Sequence, residues 1–326
     1  MRRRELIGLV CGAAVTWPLA ARAQQPKMPV IGFLSSGSPE ILAHLIEAFR
    51  QGLQETGYAE GRNVAFEYRA VGAMYDQFPV MAADLVRRQV AVIIAPNPAA
   101  ALAAEAATST IPIVFQVSGD AVRLGLFKSF NRPGGNATGV ILDEETLASK
   151  RLELLHEIVP AASLVGLLVN PNSPEMKDHE AIVSAAAREM RVHVLVLAAS
   201  NEREFDKVFA TLRERNASVL LVDSDAFFSS QRKRLVELAA GNAIPTIYDR
   251  RDYTVAGGLI SYGPERLDRY RQMGLYAGRI LKGERPAGLP VMQATRYELA
   301  INLATAKELG LTIPPGILAI ADEVIE

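Results

Sequence analysis

The chain has 326 residues, and its 35 basic side chains nearly balance 36 acidic ones, for a formal net charge of −1; that excludes the basic excess with which proteins grip nucleic acid. Hydrophobic residues make up 49%, enough to bury a large core and incompatible with a disordered chain, and the length suits two domains of ~100–200 residues each. The single cysteine, Cys11, excludes a disulfide framework, and His44, His156, His179 and His193 are too scattered in sequence to form a local metal-ligand pair.

The first 23 residues read as a secretory signal peptide. Arg2-Arg3-Arg4 supplies a positive start, Leu6 to Leu19 an apolar run, and Ala21-Arg22-Ala23 a small-x-small cleavage site. The apolar run is shorter than the ~20 residues of a membrane span. Arg3-Arg4-Glu5-Leu6-Ile7 is similar to a twin-arginine export signal, while Sec export stays open. Cleavage after Ala23 would remove Cys11 and the one tryptophan, Trp17, and leave a chain starting at Gln24. The expected location is the periplasm.

Beyond that point strands and helices alternate. Met28 to Leu34 is a continuous apolar run closed by Ser35-Ser36-Gly37-Ser38-Pro39, the pattern of a parallel strand buried on both faces. Ile41 to Thr56 follows with helical spacing of Leu42, Leu45, Ile46, Phe49 and Leu53, stopping at Gly57. Strands are predicted at 64–68, 90–95 and 113–116, with helices at 78–88 and 99–107 between them. The second half repeats the order. Helices are predicted at 144–158, 179–190, 202–215 and 227–240, and strands at 164–169, 192–197, 219–222 and 245–248. After these come a short strand near 257–263, a helix at 267–281, an extended stretch at 286–290, a strand at 297–302 and a helix at 303–309. The last pieces are too few for a third core; they complete the two lobes.

The fold class is therefore α/β, with two doubly wound parallel-sheet lobes. Residues 24–140 plus 262–290 form the first lobe and 141–261 plus 291–326 the second. Three crossings are expected, near 139–143, 256–261 and 290–298.

Motifs for chemistry are scarce. There is no G-x-x-x-x-G-K-[ST] phosphate loop and no G-x-S-x-G elbow, and the turn Asn131-Arg132-Pro133-Gly134-Gly135-Asn136 lacks dinucleotide-binding spacing. What recurs is polarity just after apolar strands, where open α/β sheets bind ligands. From the first lobe the candidates are Ser35, Ser36, Asn97, Gln116 and Asp120. From the second they are Asn170, Asn172, Asp223, Asp225, Tyr248 and Arg250. Hydroxyl, amide, carboxylate and guanidinium groups on two facing rims suit a small polar or zwitterionic solute. An aromatic part of such a solute would stack on Tyr248 or Phe227. Ser38, Asp143 and Asn201 read as helix caps instead. No metal site and no cofactor are expected.

Several segments together resemble a known family. They are Ile31-Gly32-Phe33-Leu34, Phe49-Arg50-Gln51-Gly52-Leu53 with Gly57-Tyr58-Ala59-Glu60-Gly61-Arg62-Asn63-Val64, Ile111-Pro112-Ile113-Val114-Phe115, Ser129 to Gly139, Lys150-Arg151-Leu152-Glu153-Leu154-Leu155, and Tyr297-Glu298-Leu299-Ala300-Ile301-Asn302-Leu303. Over nearly all of the expected mature chain it resembles the tryptophan/tyrosine-type substrate-binding proteins of ABC importers. The resemblance implies a type I periplasmic binding protein fold, a ligand in the interlobe cleft, hinge closure presented to an inner-membrane permease and its ATPase, and no catalysis. One departure is Asp120-Ala121, where family members commonly have Asp-Pro. The expected protein is a monomeric solute receptor with no nucleic-acid partner. The alternatives are a receptor serving a membrane sensor, or an exported enzyme using carboxylates such as Asp223 and Asp225.

Overall fold

A computed structural model describes residues 28–39, 42–71, 74–118, 126, 129–131 and 133–326. The expected signal peptide (1–23) and Asp120 lie outside the described residues.

Two sheets carry the chain. The first has six strands in the order β11-β5-β4-β3-β1-β2: β1 (Val30–Ser35), β2 (Ala65–Ala70), β3 (Val92–Ala95), β4 (Ile113–Ser118), β5 (Ala137–Leu142) and β11 (Met292–Gln293). Every pair in it is parallel. The second has seven, in the order β13-β12-β10-β9-β8-β6-β7: β6 (Leu164–Val169), β7 (His193–Ala198), β8 (Val219–Val222), β9 (Thr246–Tyr248), β10 (Ile260–Pro264), β12 (Tyr297–Asn302) and β13 (Glu323–Ile325). Here β10 and β12 run antiparallel and the other pairs parallel. This is the α/β architecture of two mostly parallel sheets that the sequence pattern implies.

The continuous apolar runs have a direct cause. Successive strand side chains point to opposite faces, so a strand covered on both sides needs every residue apolar. In β3, Val92 and Ile94 join one core cluster while Ile93 and Ala95 join the other. In β8, Val219 and Leu221 face one cluster and Leu220 and Val222 the opposite one.

The helices covering the first sheet include α1 (Ala43–Gln54), α2 (Phe78–Arg87) and α3 (Pro98–Ala107). Those of the second include α4 (Glu144–Ile158), α5 (Met176–Glu189), α6 (Phe205–Glu214), α7 (Ala226–Ser230), α8 (Arg232–Gly241) and α9 (Arg251–Val255). The predicted helix at 227–240 is two pieces, broken at Gln231 between α7 and α8. Leu45, Ile46, Phe49 and Leu53 of α1 are all buried, each contributing about 1.5–3 kcal/mol against exposure.

The chain passes between the sheets three times. It leaves the first after β5, where Asp143 caps α4 by accepting from Thr146 N at 3.2 Å. It returns after β10, where α10 (Arg266–Leu281) packs on α1 of the first lobe. This second passage comes at Pro264–Arg266, later than the pattern suggests, because β10 stays paired to β9 and β12. The third follows β11, which pairs with β5 in the first sheet, so the chain rejoins the second sheet only at β12. Two short helices, α11 (Leu303–Glu308) and α12 (Pro315–Ile320), precede the edge strand β13.

Contact between α1 and α10 depends on glycine. A Cβ on Gly52 would lie 1.9 Å from the Arg271 carbonyl oxygen, and one on Gly274 2.1 Å from that of Phe49. Only bare backbone permits this approach.

Candidate functional site

Strand order reverses between β1 and β3 in the first sheet and between β6 and β8 in the second. Loops leaving the carboxyl ends of these strands diverge there and leave a crevice. The two crevices face one another and form one cleft of ≈ 1130 Å³, with walls from both sheets' loops.

From the first lobe, Ser35, Ser36, Asn97 and Gln116 line this cleft, as predicted from their positions after β1, after β3 and within β4. Two of them also hold local structure. Ser35 Oγ accepts from Gly37 N at 3.2 Å, and Asn97 Oδ1 accepts from Ala100 N at 2.9 Å, capping α3. From the second lobe, Asp225 and Arg250 reach the cleft.

The other candidates lie elsewhere. Asn170 is buried behind the wall and donates to Asp225 Oδ1 at 3.1 Å. Asn172 is exposed, outside the cleft lining. Asp223 is buried against His179 of α5, with its two oxygens 2.9 and 3.1 Å from Nδ1. That pairing takes it away from Arg250, whose partner is Asp249. Tyr248 is 1% exposed and stacks on Tyr253 with ring centroids 4.4 Å apart, inside the core. Phe227 likewise packs in the core, stacked on Phe205 at 5.5 Å. Neither aromatic offers a face to the cleft. Of the expected caps, Ser38 lines the cleft, and the Asn201 side chain donates to Ser200 Oγ at 3.4 Å.

Asp225 is the most connected group. It accepts from Asn170 Nδ2 and, as the cap of α7, from the backbone N–H of Phe227 at 2.8 Å and of Phe228 at 3.3 Å. Its other oxygen accepts from the Tyr75 hydroxyl at 2.7 Å. Tyr75 belongs to the first lobe, in a 3₁₀ turn (Tyr75–Gln77) just before α2, so this bond spans the cleft. Burial, with a smaller contribution from the Asp223 charge, pushes the Asp225 carboxyl above the usual carboxylate range, and the Tyr75, Asn170 and Phe228 donors oppose it. Burial also raises Tyr75, with the Asp225 charge adding to it, so the hydroxyl keeps its proton.

Tyr75 was missed because it lies in an irregular segment. Also missed were three arginines near the second passage, Arg151, Arg266 and Arg269. Arg250 is held by Asp249, Nη2 to Oδ2 at 2.7 Å, and Ser224 Oγ donates to the same oxygen at 2.8 Å. Burial works against the Asp249 carboxylate, yet the charge and hydrogen bond of Arg250, with help from Arg151 and Ser224, together outweigh it and hold the carboxyl below its ordinary value. Arg266, first residue of α10, reaches Asp252 of α9 at 2.7 Å. Arg269, one turn on, donates to the carbonyls of Glu265 at 3.1 Å and Pro264 at 3.3 Å. Arg151 of α4 is 1% exposed and donates to the Tyr262 carbonyl at 2.8 Å. A signal existed for Arg266 and Arg269. Cations at the first and fourth positions of a helix oppose its dipole, and such placement calls for an anionic partner.

Among the described residues, no group of three or more His, Cys, Asp or Glu is placed to hold a metal ion. No helix of theirs is long and apolar enough to cross a membrane. What the cleft offers is polar and ionic side chains on walls drawn from both lobes.

Comparison with known proteins agrees with this layout. A conserved domain protein from Vibrio cholerae superposes with a TM-score of 0.85 at 25% identity, covering 91% of this chain and 100% of that one. An ABC domain from Streptococcus pneumoniae, solved in complex with L-Trp, has a TM-score of 0.83 at 24% identity, over 91% of this chain and 99% of that one. The tyrosine-binding protein of Clostridioides difficile (strain R20291) is 26% identical over 269 residues, which is 81% of this chain and 76% of the relative. Residues 27–325 match the family model described as ABC transporter substrate binding protein, and the chain belongs to that family.

Proposed function

We propose that this protein is the periplasmic receptor of an ABC import system and captures a small polar or zwitterionic solute between its two lobes. The lobes close on the solute about the three connecting passages, with β10 to Pro264 kept in the second lobe and β5 and β11 in the first. The observation that carries this reading is the Tyr75–Asp225 bond across a cleft lined by both walls. A ligand shifts a hinge equilibrium only through contacts that exist in one state, and here both rims meet only when the lobes are together. The curated relative named as tyrosine-binding makes amino acids the first solutes to test. Residues 1–23 act as a removed export signal, and the receptor delivers its solute to a permease without transforming it.

Native mass spectrometry of the exported protein tests this directly. A co-purified small solute is expected, and adding it back to stripped protein should shrink the particle in small-angle X-ray scattering. Turnover of that solute, or its binding outside the cleft, would overturn the reading.

A further inference from the structure

We propose that the solute is a small organic acid with a net negative charge, whose anionic group docks on Arg269 and Arg266 where the chain passes from β10 into α10. This narrows the receptor reading above and rests on it.

The cleft does not share the charge balance of the chain. Seven lysine or arginine side chains line it against four carboxylates, whereas the full sequence has 35 against 36. The carboxylates are already engaged. Asp225 accepts from Tyr75, Asn170 and two backbone amides. Asp249 is held by Arg250 and Ser224, and Asp252 by Arg266. Glu175 is buried, with an oxygen 3.9 Å from His179 Nε2. An ammonium group entering the cleft would meet four carboxylates among seven cations, and two of those carboxylates, Asp249 and Asp252, are already paired with arginine.

The cations are less satisfied. Arg269 is 7% exposed and lines the cleft. Its hydrogen bonds go to two backbone carbonyls, and it forms no salt bridge among the described residues. Burial, then the charges of Arg266 and Arg250, pulls its guanidinium down to about 9. Burial and the Arg250 charge also lower Arg266, even with Asp252 beside it. A buried guanidinium without a counterion is costly to keep; a carboxylate offers it charge and fork geometry together. Both arginines stand in the opening turns of α10, where the helix dipole adds to the attraction for an anion. The carbonyls of Pro264 and Glu265 that Arg269 holds belong to the backbone between the lobes, so an anion docked here touches the hinge itself.

The test uses matched compounds on the whole exported protein. One series is 3-phenylpropionate, phenylalanine, 3-phenylpropanamide and phenethylamine; the other is hexanoate, norleucine, hexanamide and pentylamine. Calorimetric titration should find the anion the tightest member in at least one series, by about tenfold. Arg269→Gln should weaken that anion by about tenfold or more, while the unliganded thermal midpoint stays level or rises, since an uncompensated buried charge has been removed. Arg266→Gln, at a less buried position, should weaken it in the same direction and serves if Arg269→Gln does not fold. An amino acid, amide or amine as tightest member in both series overturns the proposal. So does an anion indifferent to both substitutions, or no member binding tighter than about 1 mM. The receptor reading survives any of these if a co-purified solute still closes the lobes, and falls separately if none does.

Discussion

Replacing Tyr75 by Phe removes one hydroxyl and leaves the ring that packs against Phe78 at 6.0 Å. The lost bond, 2.7 Å to Asp225, is the one that ties the 3₁₀ turn before α2 to the cap of α7 across the cleft. A hydrogen bond to a charged group contributes about 1.5–3 kcal/mol. Asp225 keeps three other donors, from Asn170, Phe227 and Phe228, so the lower end applies. A loss of about 1.5 kcal/mol shifts the closed-to-open ratio by roughly tenfold. Because apparent affinity scales with the competent fraction, the co-purified solute should bind up to ~10 times more weakly. Scattering from the unliganded variant should report a larger mean dimension than the parent. Asp225→Asn and the double variant complete a cycle whose coupling should be about 1–2 kcal/mol. Additive effects on affinity, together with an unchanged scattering profile, would refute the idea that this bond biases closure.

Three further outcomes follow from the geometry. Asp84 is bonded by Arg69, at 2.6 and 2.8 Å, and then by Arg88 and Arg87, and its carboxyl is lowered from 3.8 to about 2; the stabilising contribution is thus complete above the unfolded value near 3.8 and is lost as pH falls toward about 2. Carboxyl NMR titration should find this, and Arg69→Gln should move the Asp84 midpoint back up. Gly274→Val forces a side chain against the Phe49 carbonyl, and the melting midpoint should fall by several degrees for a loss of about 2–3 kcal/mol. Asp223→Ala removes the carboxylate from buried His179 and should cost about 1–3 kcal/mol of stability in denaturant unfolding, with solute affinity changed far less than by Arg269→Gln.

Much of the fold could be read from the chain because strands buried on both faces must be apolar throughout. The runs at 164–169 and 219–222 coincide with β6 and β8. Short edge elements left no such trace. β11 has two residues and β13 three, and α9 is a five-residue helix whose first residue, Arg251, pairs with Glu323. The candidate site was half legible. Ser35, Ser36, Asn97, Gln116, Asp225 and Arg250 follow from the rule that sites gather at strand ends. The rule cannot say which way a side chain at a strand end turns. Tyr248 turns inward onto Tyr253, and Asp223 onto a histidine far away in sequence. Tyr75 and Arg269 enter the cleft from a 3₁₀ turn and from a helix start at the hinge, and neither ends a strand.

The glycine contact between α1 and α10 also sets a timetable. Helix α1 ends at residue 54 and its partner begins at 266. At ~5–20 residues per second of synthesis, roughly 10–40 s separate the emergence of the two. Throughout that interval the first lobe lacks the surface that covers Phe49 and Leu53, however completely β1 to β4 have formed. The second lobe waits as well, since β12 and β13 close its sheet only at the very end of the chain. Both lobes therefore depend on the last quarter of the polypeptide: a chain cut before α10 leaves two incomplete cores, and one cut just after β11 leaves the second alone unfinished.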